Sequence, residues 1–245
     1  MPDINKPADQ KVTGISYFFP AHNEEANVEP MVRRAQEFLP TVVENFEIIV
    51  VNDGSSDRTQ EIAESLAAQD ARVRVVTHPH NLGYGAALKS GIRAATFPWV
   101  LFTDGDRQFD LGELPKLIAL ADAGADAAIG YRIARKDPWH RALNAFMYKQ
   151  LIRLLFGLKV RDIDCAFKLM RTELVQSLGL KSDGALLSAE MLIRISRRGG
   201  VIRQAGVHHF PRPAGEQSGA KLSVIIRMFR ELFALAGTLR REGGA

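Results

Sequence analysis

Short apolar runs of strand length alternate with helix-like stretches through the first half of this chain, and that alternation limits its folds more than any other feature. Ile15-Ser16-Tyr17-Phe18-Phe19 reads as a strand stopped by Pro20, and a helix follows over about Glu24 to Leu39. Phe46 to Val51 is a second strand ending at Asn52-Asp53-Gly54, where Ser56 or Asp57 can cap a helix reaching about Ala68. Arg72 to Val76 is a third strand, and the turn Asn81-Leu82-Gly83-Tyr84-Gly85 opens a helix to about Ala95. Phe97 to Thr103 is a fourth strand, followed by a helix near Leu114 to Ala121 and a strand near Ala125 to Gly130. Nearly continuous apolar strands between helices belong to a parallel sheet covered on both faces. The pattern predicts an α/β fold with a mostly parallel sheet and helices on both faces.

The second half is more helical. Trp139 to Phe156 is a long amphipathic segment, Ala185 to Arg198 a further helix, and Val201 to Phe210 a strand bounded by Pro211 and Pro213. Lys221 to Arg240 predicts a terminal helix with an apolar stripe of Leu222, Ile225, Ile226, Phe229, Leu232 and Phe233. The expected organisation is a flexible N-terminus over 1–12, one domain over 13–218, and a C-terminal amphipathic helix and tail over 219–245.

Polar clusters follow the strands: Asn23-Glu24, Asn52-Asp53, and Asp104-Gly105-Asp106 with Gln108. Ligands of open α/β sheets bind outside the carboxyl ends of the strands, so three acidic clusters at that edge define one candidate site. Two carboxylates one residue apart can converge on a divalent cation, and Mg²⁺ or Mn²⁺ accepts a diphosphate in its remaining positions. The dinucleotide fingerprint and the Walker motif are both missing, which counts against those nucleotide sites.

Composition removes other classes. A formal net charge of +4, without aromatic-interleaved basic stretches or zinc spacing, gives no case for nucleic acid. The only cysteine, Cys165, excludes an intramolecular disulfide and suits a reducing, cytoplasmic compartment. Met1 to Lys11 carries no apolar signal core, and no run of 18 apolar residues is present.

Four motifs, Pro20-Ala21-His22-Asn23-Glu24, Val51-Asn52-Asp53-Gly54-Ser55-Ser56-Asp57, Asn81 to Gly85 and Thr103 to Gln108, stand in a characteristic order and spacing. Together they resemble the inverting glycosyltransferases of family two, whose fold is GT-A, over about residues 13–220. Within that family the chain is most similar to the dolichyl-phosphate mannosyltransferase branch, the polyprenyl-phosphate glycosyltransferases. Gly130-Tyr131-Arg132, Arg141, the segment Arg161 to Lys168 and the loop Arg212 to Ser218 carry this narrower likeness. Ala166 replaces a branch glycine, Gly219-Ala220 intervene before Lys221, and Leu186 stands where mannosyl enzymes carry a lysine.

The resemblance implies a role for each residue. Pro20, Ala21, His22, Glu24, Val51 and Asp53 would line the nucleotide pocket, with Asp104, Gly105, Asp106, Arg132, Arg212 and Ser218 completing the nucleotide-sugar site. Asp104, Asp106 and Gln108 would hold Mg²⁺ or Mn²⁺. Asp106, Arg132, Arg141 and Glu190 would form the catalytic set, the arginines gripping phosphate oxygens. An acceptor phosphate is already an anion and needs no strong base. Glu190 is therefore open between positioning substrate, acting as base on a hydroxyl acceptor, and neither. Asp162 and Asp164 orient the arginines or the acceptor, or serve as buried ion-pair partners. Cys165 reads as packing, and His208-His209 as structural.

The expected activity is transfer of a sugar from GDP-mannose or a UDP-sugar to a polyprenyl phosphate, by a protein peripheral to the inner face of the cell membrane. Its terminal helix either lies in an anionic membrane surface or packs on its own domain, a homodimer mate or a membrane-anchoring partner. A soluble hydroxyl acceptor on the same fold, or a non-catalytic nucleotide-sugar binder, are the alternatives.

Overall fold

A computed structural model of the chain describes residues 11–133, 139–184, 186–212, 231–239 and 241, with the side chains of 139–145 excepted. In chain order the elements are β1 (Gly14–Ala21), α1 (Glu25–Phe38), β2 (Asn45–Asn52), α2 (Thr59–Gln69), β3 (Val73–Thr77), α3 (Tyr84–Ala94) and β4 (Trp99–Phe102). They continue as α4 (Leu114–Asp122), β5 (Ala127–Arg132), α5 (Trp139–Phe156), β6 (Lys168–Arg171), α6 (Thr172–Gln176), α7 (Leu186–Arg197) and β7 (Ile202–Val207). The strands form one seven-stranded sheet in the order β3-β2-β1-β4-β6-β5-β7. β1 pairs in parallel with β2 and β4, β2 with β3, and β5 with β7. Apolar clusters cover both faces, one including Phe18, Ile49, Val51 and Phe102, the other Tyr17, Phe19, Ile48, Val50 and Leu101. Successive residues of each strand thus alternate between two cores, which is why these strands read as unbroken apolar runs.

β6 was not expected. It lies antiparallel between β4 and β5, in the middle of the sheet. Its four residues, Lys168-Leu169-Met170-Arg171, present a charge at each end and no apolar run, so they give no strand signal. The strand has a large consequence. β1, β2, β4, β5 and β7 deliver their carboxyl ends to one edge, and antiparallel β6 brings the loop before it, residues 161–167, to that same edge.

β1 also runs past Pro20 to Ala21, pairing with Val51 and Asn52 of β2. Proline is tolerated because β4 ends at Phe102, opposite Phe18, so beyond that point β1 has no partner on that side. The space left there is filled by the turn after β4. A Cβ at Gly105 would lie 2.2 Å from the Pro20 carbonyl oxygen, so only glycine lets the backbone approach. The buried Tyr17 hydroxyl, 2.9 Å from Thr103 Oγ1, ties the same turn to β1 from below.

Residues 231–239 are helical, and Leu232, Leu235 and Leu239 are buried in the core that also holds Tyr148 and Ile152 of α5. Of the predicted terminal stripe, Leu232 therefore packs inward while Phe233 is 57% exposed. Leu222, Ile225, Ile226 and Phe229 lie outside the described residues. No helix among the described residues is long and apolar enough to cross a membrane.

The contact between Gly105 and Pro20 yields a stability prediction. Gly105→Ala forces the turn or the Pro20 carbonyl to move, at an overpacking cost of about 1–3 kcal/mol. The thermal midpoint should fall by roughly 2–9 °C. An unchanged midpoint by calorimetry would show that the turn is not held against β1.

Candidate active site

The chain reverses its direction of travel across the sheet between β1 and β4, and the acidic turn lies at that switch point. Asp104 and Asp106 sit just beyond β4, on a turn in which Arg107 adopts a φ of 61°. That left-handed residue swings the chain so that the Gln108 N–H donates to Asp106 Oδ1 at 3.1 Å. Tyr84, the first residue of α3, donates its hydroxyl to Asp104 Oδ1 at 2.8 Å. Burial, and then the neighbouring Asp106 charge, push the Asp104 carboxyl up to about 6. The Tyr84 bond and the positive charges of Lys168 and Arg132 oppose that shift without cancelling it. Two carboxylates are thus held together with too little positive charge between them, an arrangement that a bound cation would relieve.

Three cationic side chains border this pair. Arg132, at the end of β5, forms a two-pronged pair with Asp162, Nε to Oδ2 at 2.7 Å and Nη2 to Oδ1 at 2.9 Å. Burial alone would lower the Arg132 pKa, but the bonds and charge of Asp162 outweigh it and hold the guanidinium protonated. Two of five guanidinium donors are spent on Asp162, which leaves the others for a ligand. Lys168, at the start of β6, is fully buried, bonded to the Cys165 carbonyl and set over the Phe102 ring at 5.2 Å. Burial lowers its pKa, and the charges of Asp162, Asp164 and Asp104 work against that. Arg212, beyond β7, reaches Glu24 Oε1 at 3.1 Å and Asp106 Oδ2 at 3.4 Å.

Glu24 stands at the amino end of α1, yet its side chain makes no capping bond there. It faces Asn27 and Arg212 instead, with its pKa raised by burial and partly restored by those two partners. Pro20, Ala21 and Val51 lie at the ends of β1 and β2, Val51 wholly within the core, so it can shape the pocket only through its backbone. His22 Nδ1 is 2.8 Å from the Asp53 carbonyl. The Asp53 carboxylate is largely spent on structure. His78 Nδ1 lies 2.7 Å from Oδ1, the Leu82 N–H donates to Oδ1 at 2.8 Å, and the Gly83 N–H to Oδ2 at 2.9 Å. With about four acceptor positions on a carboxylate, little beyond one is left for a nucleotide.

Two further residues that the resemblance implicates are engaged within the fold. Glu190, offered as a catalytic residue, is fully buried. The Lys181 and Ser182 N–H groups and Arg194 Nε converge on its oxygens, at 3.1, 2.7 and 2.7 Å. Burial would raise its pKa, but these donors pull it below the usual carboxylate range, so it stays ionised as the anchor of the 181–183 loop. That loop in turn accepts the Gly85 N–H on the Asp183 carbonyl, docking on the start of α3. Gln108, offered as a metal ligand, donates its amide nitrogen to the Phe210 carbonyl at 2.9 Å, so only its amide oxygen could reach an ion. Ser218 and the side chain of Arg141 lie outside the described residues.

Tyr84 and Lys168 were quoted within motifs without a role. Only Tyr84 carries a hint in the sequence, as an aromatic at a glycine-marked helix start; nothing there says that Lys168 is buried. Cys165, His208 and His209 have structural surroundings. Burial pushes the Cys165 thiol up to about 11, as in a packing cysteine. His208 Nδ1 lies 2.8 Å from Glu113, and His209 packs edge-on against Phe109.

Comparison with known proteins gives a consistent picture. Residues 16–179 match the family model described as Glycosyl transferase family 2. Glycosyltransferase AglD of Haloferax volcanii is 34% identical over 212 residues, covering 81% of this chain and 34% of that protein. The chain therefore spans about a third of the length of the curated relative it matches. Glucosyl-3-phosphoglycerate synthase of Mycobacterium tuberculosis, solved with Mn²⁺, UDP and glucosyl-3-phosphoglycerate, superposes with a TM-score of 0.71 at 24% identity, over 92% of this chain and 80% of that one. The same synthase with phosphoglyceric acid gives 0.72 at 22% identity, with the same coverage. At these identities the likeness is one of fold.

The crowded acidic pair has a measurable cost. A carboxyl whose pKa is raised on folding is tolerated below its unfolded value near 4 and destabilises the fold as pH rises through about 6. Asp104→Asn, which can still accept the Tyr84 hydroxyl, should stabilise the metal-free protein at pH 7.5 by about 1–2 kcal/mol and change little at pH 4. Thermal melts at the two pH values test this; equal shifts at both would remove the charge argument.

Proposed function

The chain belongs to glycosyl transferase family 2 and has the GT-A fold, and on that premise we propose that it moves a sugar from a nucleotide-sugar donor, GDP-mannose or a UDP-sugar, to a polyprenyl phosphate with inversion. The observation that carries the donor half is the Asp104–Asp106 pair, short of positive charge and bordered by Arg132, Lys168 and Arg212. Among the described residues no group of three or more His, Cys, Asp or Glu side chains converges. Two carboxylates completed by phosphate oxygens and water suit Mg²⁺ or Mn²⁺ at a nucleotide, and the mycobacterial synthase was solved with Mn²⁺ and UDP. Asp104 and Asp106 would hold the ion, and when bound it supplies Lewis-acid neutralisation of the departing diphosphate.

The chain's own residues do the rest. Glu24, Asp53 and the backbone at Pro20 to His22 and Val51 orient the nucleoside. Arg132, fixed by Asp162, and Arg141 and Arg212 bind phosphate oxygens. The acceptor phosphate oxygen forms a bond to the anomeric carbon, while the bond from that carbon to the diphosphate breaks and the electron pair leaves with the nucleoside diphosphate. Negative charge grows on the leaving group, where the guanidinium groups stabilise it.

Two observations support a phosphate acceptor over a hydroxyl. Glu190 is engaged by backbone donors and Arg194, so it is not available to deprotonate a hydroxyl. Arg132 is paired with Asp162 in the segment that resembles the polyprenyl branch. A lipid acceptor requires a membrane surface, and we assign this protein a peripheral position at the cytoplasmic face. α5 supports this by exposing Phe146, Met147 and Leu154, the last at 82%, beside exposed Arg153. The basic residues Arg227 and Arg230 of the terminal segment would add attraction to anionic lipid.

Release of nucleoside diphosphate, with and without a short-chain polyprenyl phosphate, tests the proposal. Asp106→Ala, or excess chelator on the wild type, should abolish release; full activity in chelator would remove the cation. Arg132→Ala should lower turnover by about two to three decades, as loss of a transition-state contact does. Glu190→Gln should lower thermal stability and reduce activity only as far as folded protein is lost. A dead but fully folded Glu190→Gln beside a near-normal Arg132→Ala would favour a hydroxyl acceptor instead.

A further inference from the structure

We infer that Arg212 competes with the cation for Asp106 Oδ2 and surrenders that oxygen when donor and cation enter together. Asp106 has one oxygen, Oδ1, committed to the Gln108 N–H, so Oδ2 is the oxygen left for a ligand. Oδ2 is the atom that Arg212 Nη2 approaches, at 3.4 Å, while the same nitrogen reaches Glu24 Oε1 at 3.1 Å. One guanidinium tip thus compensates two carboxylates that follow adjacent strands, β1 and β4, with its side chain only 20% exposed. A divalent ion on Oδ2 and the guanidinium cannot share that position.

The main chain leading to Arg212 is pinned beside the acidic turn. His208 Nδ1 lies 2.8 Å from Glu113, the Phe210 N–H donates to the Gln108 carbonyl, and Gln108 Nε2 donates to the Phe210 carbonyl. Exchange therefore needs only the side chain to swing. A diphosphate offers paired oxygens that fit the planar guanidinium better than two separate carboxylates do. The donor draws Arg212 off Asp106, the cation takes the freed oxygen, and each partner favours the other. Gln108 holds this strap, which gives it a role apart from metal ligation. The inference rests on the reading that Asp106 binds the donor's cation.

Mn²⁺ affinity, measured by titration calorimetry with and without UDP or GDP and corrected for the Mn²⁺–nucleotide complex in solution, tests the exchange. In the wild type the nucleotide should tighten Mn²⁺ binding by about tenfold, within the ordinary range of coupling between sites. Arg212→Gln should bind Mn²⁺ more tightly than wild type without nucleotide, and the nucleotide enhancement should shrink severalfold. Arg212→Lys, which keeps the charge but not the fork, should match wild type without nucleotide and lose part of the enhancement. If Arg212→Gln strengthens Mn²⁺ binding equally with and without nucleotide, Arg212 is only a fixed background charge and the exchange is wrong. If Asp106→Asn removes Mn²⁺ binding while Arg212→Gln leaves every affinity unchanged, the exchange again fails and the metal reading stands. If Asp106→Asn binds Mn²⁺ as wild type does, both fall.

Discussion

Asp104 and Asp106 hold two negative charges within one turn, and most of the cleft is arranged around that repulsion. Tyr84 donates to one carboxylate and Arg212 approaches the other. Arg132 and Lys168 stand near enough to pull the Asp104 pKa down, yet it remains at about 6. A protein that needed this turn only for its fold would gain by replacing one aspartate with asparagine. Retaining both carboxylates is sensible if a cation or a cationic group completes the site.

The other carboxylates near this edge divide by whether the fold has already consumed them. Asp162 is spent on Arg132, Glu190 on the 181–183 loop and Arg194, and most of Asp53 on the chain leading into α3. These buried or half-buried acids each accept several hydrogen bonds, which is the condition under which a buried charge is tolerated. They position groups that can meet substrate: Arg132, the loop docked on Gly85, and Tyr84. Glu24 and Asp106 instead share a single arginine, an arrangement that a ligand can exchange at little cost. In the function we propose, binding chemistry falls to the least satisfied acids, and the satisfied ones supply rigidity.

The scaffold places this chemistry through one geometric fact. β4 stops three residues short of the end of β1, Pro20 needs no partner there, and Gly105 enters the gap against its carbonyl. Antiparallel β6 then carries the 161–167 loop to the same edge, setting Asp162 beside Arg132 and burying Lys168 next to Phe102. Without that reversal, Lys168 and Asp162 would face the opposite end of the sheet.

Much of this was legible in the chain itself. Apolar runs of strand length marked β1, β2, β4 and β5, because a strand buried on both faces must be apolar throughout; β3 and β7, which are not, showed through partial alternation and bounding turns or prolines, and the spacing of Glu24, Asp53 and Asp104 put them at strand ends. Helix α5 follows the predicted bounds, Trp139–Phe156, because no proline or glycine interrupts that stretch and Gly157 follows it. Hydrophobic pattern has no access to contacts made across the fold. Four residues with charged ends gave no sign of β6, whose place depends on pairing with strands far away in sequence. The same holds for the state of each ionisable group. The sequence supplied Glu190, Asp162, Lys168 and Arg212 as charges of known type, but only tertiary structure decided which were buried, which were paired, and which faced a ligand. Desolvation and hydrogen bonding set those outcomes, and both arise from neighbours that the order of residues does not name.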